Sequence, residues 1–121
     1  MKEKVILYVE DNFQNRRLVT KLLKSRGYKV LEAEDGKTGL QLIRDFRPPV
    51  VLMDIDLPEM SGLEVTKIVK ADLELRNILI IALTASAMRG DRERFLAEGC
   101  DDYLSKPIQP LELLAKVGQY Y

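Results

Sequence analysis

Short apolar runs alternate with longer segments of helical periodicity five times along the chain. The runs predict strands over Val5–Val9, Tyr28–Ala33, Pro49–Met53, Ile78–Leu83 and Asp102–Ser105. Three of them are apolar at almost every position, which is typical of a strand that is buried on both faces of a parallel sheet. The second run mixes polar and apolar residues, so we expect it near an edge of the sheet.

The segments between these runs carry signals for the start and end of helices. Asp11–Gln14 and Ser61–Glu64 have the spacing of a capping box, which satisfies backbone N–H groups in the first turn of a helix. Gly27 and Gly99 stand where a left-handed residue commonly ends a helix. Pro110 suits the first turn of the last helix. The chain is therefore predicted to consist of five βα units.

Five such units predict an α/β fold, namely a (βα)5 three-layer sandwich around a five-stranded parallel sheet. The length of 121 residues fits one domain, and we expect residues 1–121 to form it, with nothing left for an output domain. In open α/β sheets, ligands bind outside the carboxyl ends of the strands. The chemistry of the protein is therefore expected at that edge.

Composition excludes several kinds of function. The 19 Lys and Arg residues balance the 19 Asp and Glu residues, which argues against a nucleic-acid partner. The absence of His removes the commonest general base and metal ligand. One cysteine, Cys100, allows no internal disulfide and fits a reducing compartment. With no leader sequence and no apolar run near the roughly 18 residues of a membrane span, we expect a cytoplasmic protein without membrane contact.

Four of the predicted strands end in polar residues that suggest a site for a metal and a phosphate. In chain order these residues are Glu10 and Asp11, Asp54 and Asp56, Thr84, and Lys106. Clustered carboxylates repel one another unless a cation neutralises them, and Mg²⁺ commonly binds one or two carboxylates together with a phosphate. With no histidine, no reactive cysteine context and no glycine-rich phosphate loop, Asp54 is the natural group to carry the phosphate. Thr84 and Lys106 suit the phosphoryl oxygens, and Lys106 would pair with Asp54 when no phosphate is bound.

Each of these residues also has an ordinary structural interpretation. Asp11 alone would fit a helix N-cap, Asp54 and Asp56 would fit turn formers, and Lys106 would fit a solvated surface lysine. The functional interpretation rests on their conjunction, because chance rarely places complementary groups at four separate strand ends.

Four stretches carry a resemblance to a known family. They are Tyr8–Asn12, Leu52–Gly62, Ala82–Ala85 and Asp102–Pro107. In content and order they resemble the receiver domain of two-component response regulators, and the similarity covers essentially the whole chain. The resemblance is greatest to stand-alone DivK-type regulators and to receiver domains of hybrid histidine kinases, to which residues 87–94 are similar in particular. It implies the flavodoxin-like strand order 2-1-3-4-5, as in the chemotaxis member of the family.

The resemblance implies a role for each acidic residue at the strand ends. Asp54 would accept a phosphoryl group from a histidine of a partner kinase or phosphotransfer protein. Asp11 and Asp54 would ligate Mg²⁺ directly, together with the backbone carbonyl of Asp56, and Glu10 would act through a metal-bound water. The protein would then be a phosphorylated switch that assists its own phosphoryl transfer and dephosphorylation, not a turnover enzyme.

The resemblance also implies the groups that respond to phosphorylation. Thr84 and Lys106 would bind the phosphoryl oxygens, and the Lys106–Pro107 peptide bond would be cis. Tyr103 would be the switch aromatic, linking the phosphate to the face formed by helix 4, strand 5 and helix 5. A downstream protein would bind that face, around Arg92, Arg94 and Tyr103. We expect a monomer, with a phosphorylation-dependent dimer as the alternative.

The first helix is the expected docking surface for the histidine donor. Its contact residues would be Phe13, Gln14, Arg17 and Leu18, with Ile108 from the segment after Pro107. Two positions flanking the path of an attacking water in the family are Asp56 and Ser86 here. We hypothesise that the charge of Asp56 disfavours an anionic donor or alters hydrolysis.

Four alternatives remain. The most serious alternative is a receiver domain excised from a hybrid histidine kinase, against which Met1 so near the first strand favours a free regulator. The pair Asp54 and Asp56 resembles the acids of haloacid-dehalogenase phosphatases, but there the pair follows the first strand and needs a cap segment. A flavodoxin-like electron carrier would need a phosphate loop after strand one. A receiver-like scaffold that is never phosphorylated would not need the complete set of acids, Thr84 and Lys106.

Overall fold

The structure is a computed structural model that describes residues 3–85 and 91–121, the side chain of Asp91 excepted. The strands are β1 (Val5–Val9), β2 (Lys29–Ala33), β3 (Val50–Asp54), β4 (Leu79–Thr84) and β5 (Asp102–Ser105). The helices are α1 (Phe13–Ser25), α2 (Gly36–Phe46), α3 (Gly62–Ala71), α4 (Asp91–Ala97) and α5 (Pro110–Tyr120). Ser86, and residues 87–90 of the similar stretch 87–94, lie outside the described residues.

The five strands form one parallel sheet in the order β2-β1-β3-β4-β5. The predicted α/β fold and strand order are confirmed. β2 lies at an edge, as its mixed pattern predicted, whereas β3 is buried along its whole length. Asp54 pairs in register with Leu83, and Thr84 pairs with Ser105. The polar ends of β1, β3, β4 and β5 therefore lie along one edge of the sheet.

Two apolar clusters cover the two faces of the sheet. Alternate residues of β1 point to opposite faces, so that Leu7 belongs to one cluster and Tyr8 to the other. The first cluster includes residues of α2, α3 and α4, and the second includes residues of α1 and α5. Because both faces are covered, the strands must be apolar at nearly every position. This explains the continuous apolar runs of the sequence.

The start of α1 corrects one prediction. Asn12, not Asp11, is the N-cap, and its side-chain oxygen accepts a hydrogen bond from the Asn15 N–H at 2.9 Å. The chain enters the helix one residue later than the capping-box spacing suggested, which leaves the Asp11 carboxylate outside the helix and exposed. The cap predicted at Ser61 is confirmed, since its hydroxyl accepts from the Glu64 N–H at 3.2 Å.

Two strands begin and end one residue later than predicted. β3 starts at Val50, because Pro49 has no N–H to donate to a neighbouring strand. β4 likewise runs to Thr84. Asp54 and Thr84 are thus the last residues of their strands, held in the ladder of the sheet and not in the loops that follow. Along the described ranges, every helix is too short or too polar to cross a membrane.

Candidate functional site

Three carboxylates meet where β1 and β3 end. One oxygen each from Glu10, Asp11 and Asp54 lie within 4.8 Å of one another. Glu10 and Asp54 are each only 1% exposed, while Asp11 faces solvent. Carboxylates that are both buried and close together are unfavourable unless positive charge is supplied nearby. The geometry therefore calls for cations at this edge.

Lys106 supplies one positive charge. Its Nζ lies 2.8 Å from Oδ2 of Asp54 and 3.4 Å from Oε1 of Glu10, so the pair predicted between Lys106 and Asp54 is present. Burial by itself would lower the pKa of Lys106, but the hydrogen bond and charge of Asp54, aided by Glu10, outweigh burial and raise it. The ammonium group therefore stays charged between the two acids.

The positive charge near the Glu10 carboxylate is not enough to neutralise it fully. Burial, followed by the hydrogen bond and charge of Asp54, raises the pKa of Glu10 to about 7. The Asn12 N–H, which donates to Oε2 of Glu10 at 3.3 Å, and the charge of Lys106 act in the opposite direction. One lysine thus does not fully neutralise the cluster.

The donor set fits a hard divalent cation. All three side chains offer carboxylate oxygens, the ligands that Mg²⁺ prefers, and the exposed Asp11 opens the cluster to solvent. Asp56 follows in the turn after β3, with its side chain exposed and its N–H donating to Oδ1 of Asp54 at 2.9 Å. The Asp56 N–H thus binds one oxygen of Asp54 and Lys106 binds the other.

The loop after β3 returns very close to the phosphoacceptor candidate. The Gly62 N–H donates to the Ile55 carbonyl at 3.3 Å. A Cβ at Gly62 would lie 2.2 Å from the backbone oxygen of Asp54, so no residue with a side chain fits here without moving the end of β3. Sequence reasoning missed Gly62 as a site residue, although it stands within the stretch that carried the resemblance.

Thr84 and Lys106 are brought to the same edge from the neighbouring strands. Thr84 is 1% exposed, and its carbonyl accepts from the backbone N–H of Lys106 at 2.8 Å. The Lys106–Pro107 peptide bond is cis. The two residues that were assigned to phosphoryl oxygens thus lie next to each other, Thr84 at the end of β4 and Lys106 directly after β5.

Tyr103 lies in β5, half-buried against the cluster under α2, α3 and α4. The Nζ of Lys116 in α5 is 5.9 Å from the centre of its ring. Lys116 also donates to Oδ1 of Asp102 at 3.0 Å, and the Tyr120 hydroxyl donates to Oδ2 at 3.0 Å. β5 and α5 are thus joined by a polar cluster around Asp102, which sequence reasoning did not identify. Arg92 and Arg94 are exposed on α4.

The predicted docking residues divide between two surfaces. Leu18 and Ile108 line a groove of about 680 Å³ between α1 and the segment before α5, which also reaches Glu10 and Lys106. Phe13 and Arg17 line a different hollow of about 400 Å³, toward β2. Gln14 is exposed on α1. The structure therefore brings Leu18 and Ile108 together beside the acidic cluster, but not Phe13 and Arg17 with them.

Comparison with known proteins agrees with this geometry. A family profile described as response regulator receiver domain matches residues 6–118. The polar-differentiation response regulator DivK of Brucella anthropi is 46% identical over 117 residues, which cover 97% of this chain and 95% of that protein.

Solved structures give the same result. The receiver domain of the sensor histidine kinase PA1611 of Pseudomonas aeruginosa, crystallised with a magnesium ion in its active-site cleft, has a TM-score of 0.89 and 37% identity, over 98% of each chain. A chain of the Saccharomyces cerevisiae complex between the histidine phosphotransfer protein Ypd1 and the receiver domain of Ssk1 has a TM-score of 0.89 and 26% identity, over 98% of this chain and 88% of that one. The chain belongs to the response regulator receiver domain family, and it is a DivK-like response regulator of phosphorelay signalling.

Proposed function

We propose that Asp54 accepts a phosphoryl group from a phosphohistidine of a partner protein in a reaction that requires Mg²⁺. The observation that carries this proposal is the setting of the Asp54 carboxylate. It is buried at the end of the central strand, bonded to Lys106 on one oxygen and to the Asp56 N–H on the other, beside two further acids. An acceptor needs such placement and charge neutralisation more than it needs covalent help.

The chain's own residues divide the work of the transfer. An Asp54 oxygen forms the new bond to phosphorus as the bond from phosphorus to the donor nitrogen breaks, and the histidine leaves after taking a proton from water. Lys106 pairs with Asp54 before the transfer. After the transfer it would bind the phosphoryl oxygens, which then carry the negative charge. The Thr84 hydroxyl would donate to another of these oxygens.

Asp11, Asp54 and the backbone carbonyl of Asp56 would hold Mg²⁺, with Glu10 acting through a bound water. When bound, Mg²⁺ would supply the positive charge that Lys106 alone does not, to the carboxylates and the phosphoryl oxygens. The magnesium ion reported in the cleft of the PA1611 receiver domain supports this assignment.

The donor would approach along the groove lined by Leu18 and Ile108. This groove is largely apolar and reaches Glu10 and Lys106, so a protein docked there would have its histidine near Asp54. The Ypd1–Ssk1 complex supports a histidine phosphotransfer protein or a histidine kinase as the donor. Phe13, Gln14 and Arg17 would contact the same partner only at the margin of this surface.

The phosphorylation signal would pass to a downstream protein at the face formed by α4, β5 and α5. Tyr103 would respond to the movement of Thr84, and a downstream protein would bind that face. We further propose that residues 1–121 form one receiver domain, which acts in the cytoplasm as a monomeric switch, signals by protein binding and is not a turnover enzyme. The match over 95% of DivK, a response regulator, supports the signalling role.

Intact-mass measurement after incubation with acetyl phosphate and Mg²⁺ tests the proposal. We expect the wild type and the Asp45→Asn control, which removes an exposed acid on α2, to gain one phosphoryl group. Asp54→Asn, or a chelator, should abolish the gain. An adduct that persists in Asp54→Asn would contradict the assignment. So would failure of the wild type with both acetyl phosphate and a phosphorylated histidine phosphotransfer protein.

A further inference from the structure

We propose that Tyr8 is a positioning residue of the metal site, whose phenol hydroxyl fixes the buried Glu10 carboxylate and so strengthens the binding of a divalent cation at Glu10, Asp11 and Asp54. The inference rests on the proposed function and adds to it a residue from the interior of β1.

The placement of Tyr8 follows from the geometry of a strand. Side chains two residues apart along a strand point to the same face, so Tyr8 and Glu10 face the same way where β1 ends. Tyr8 is completely buried, and its ring belongs to the apolar cluster that includes Leu23 of α1 and Leu113 of α5. Its hydroxyl donates to Oε1 of Glu10 at 3.3 Å.

The hydrogen bond from Tyr8 is one of several contacts that hold the Glu10 side chain in position. Oε1 faces both the Tyr8 hydroxyl and the Nζ of Lys106, while Oε2 accepts the Asn12 N–H. The Glu10 carbonyl accepts from Arg16 at 2.8 Å. The side chain is therefore held from the interior, from the start of α1 and from the segment after β5.

Core packing alone does not require the hydroxyl. The other buried members of its apolar cluster are all aliphatic, and burying a hydroxyl costs free energy unless it finds a partner. The partner found here is a carboxylate of the acidic cluster, so the hydroxyl acts on a buried side chain that contacts Lys106 and belongs to the proposed metal site.

Loss of the hydroxyl would disturb the whole cluster. Oε1 of Glu10 would keep Lys106 as its remaining partner in the described structure, yet Lys106 is also the partner of Asp54. Glu10 would turn, or would draw Lys106 away from Asp54. Partners that orient metal-binding groups typically affect affinity by 10- to 100-fold. Because Glu10 would act through a water, we expect a smaller rise in the Mg²⁺ Kd of about 3- to 10-fold.

Calorimetric titration with Mg²⁺ of the wild type and variants tests the inference. Tyr8→Phe keeps the ring and should raise the Kd by the stated factor. Tyr28→Phe is the matched control and should leave the Kd unchanged. Tyr28 packs at a tilt against Tyr121, with ring centres 5.7 Å apart, and it directly precedes β2 at the opposite end of the parallel sheet from the acids. In a Glu10→Gln background, Tyr8→Phe should have a much smaller effect, because the hydroxyl acts through Glu10.

An unchanged Kd in Tyr8→Phe would overturn the inference, and so would an equal effect with and without Glu10. Failure of the proposed function is distinguishable, since the wild type itself would then not bind Mg²⁺. If Tyr8→Phe does not fold, NMR of wild-type protein with ¹³C-labelled tyrosine rings decides. The Tyr8 hydroxyl-bearing carbon should shift on Mg²⁺ titration while that of Tyr28 stays constant, and a constant Tyr8 signal would overturn the inference.

Discussion

The charge and hydrogen bonding of each acidic residue in the site depend on the groups that lie within a few ångströms of it. Asp54 and Lys106 were identifiable in the sequence because an acid directly follows a predicted apolar strand and a lysine directly follows the last predicted strand. Tyr8 was not, because a tyrosine in a buried strand has the pattern of a core residue, and only its distance to Glu10 reveals a second role. The closeness of Gly62 to Asp54 likewise exists only once the loop has folded back.

Asp56→Asn should speed the phosphorylation of Asp54 by acetyl phosphate. The Asp56 side chain is exposed next to the acceptor, so its charge repels a dianionic donor through solvent, and removing it should raise the rate by about two- to fivefold. The rate is measured by intact mass at low and high salt. The gain should shrink at high salt because salt screens exposed charges. Equal phosphorylation and dephosphorylation rates in both proteins would contradict this role.

Polar clusters join helices to strands, so that a chemical change at one element affects the element bonded to it. Asp102 at the start of β5 binds Lys116 and Tyr120 of α5, and Lys116 in turn approaches the Tyr103 ring. Sequence periodicity predicted both elements, but it could not show that their polar residues meet, since the contact joins positions 14 and 18 residues apart. The face proposed for output is therefore held by an ion pair and hydrogen bonds as well as by apolar packing.

Asp102→Asn should destabilise the protein at neutral pH but not in acid. Burial alone would raise the pKa of Asp102, but hydrogen bonds from Lys116, the Tyr103 N–H and Tyr120 outweigh burial and lower it. A lowered pKa adds stability above the unfolded-state value of about 3.9, and this stability is lost as pH falls through the folded-state value.

Urea unfolding at a series of pH values measures this effect. We expect Asp102→Asn to lose about 1–2 kcal/mol at pH 7, with the difference from wild type closing below about pH 4. Glu34→Gln, at an exposed position, is the control and should differ little from wild type at any pH. A difference that stays constant down to acid pH would show that the charge of Asp102 contributes nothing.

In the molecule as a whole, helices cover both faces of the sheet, whereas the carboxylates at the carboxyl edge of the sheet are poorly neutralised. Two apolar clusters bury both faces. The stability that this burial provides offsets the repulsion among Glu10, Asp11 and Asp54 at the carboxyl ends of the strands. A cation that binds only the folded chain must therefore raise its stability.

Mg²⁺ should raise the thermal unfolding midpoint, and its removal by a chelator should reverse the rise. At ten times the Kd, the gain is about 1.4 kcal/mol, which corresponds to about 5–6 °C for a domain of this size. Asp11→Asn should lose the shift, because it removes an exposed carboxylate of the cluster, whereas Asp45→Asn should keep it. Scanning calorimetry with and without Mg²⁺ gives the answer, and an equal shift in Asp11→Asn would place the metal elsewhere.

The pattern of residues along the chain was enough to predict the five βα units, the burial of the central strands and the chemical groups at the strand ends. These depend on periodicity, chain spacing and residue type, which act over short distances along the chain. The strand order was predicted by resemblance to a family, not by the pattern of residues.

Which of these groups meet depends on the packing of the whole molecule. Packing brings Lys106 within 3.4 Å of Glu10, joins Asp102 of β5 to Lys116 of α5, and places Leu18 and Ile108 in a different groove from Phe13 and Arg17. Hydrogen bonds and ion pairs require distances near 3 Å. Such distances between residues far apart in the chain are set by how helices and strands pack, which no local pattern contains.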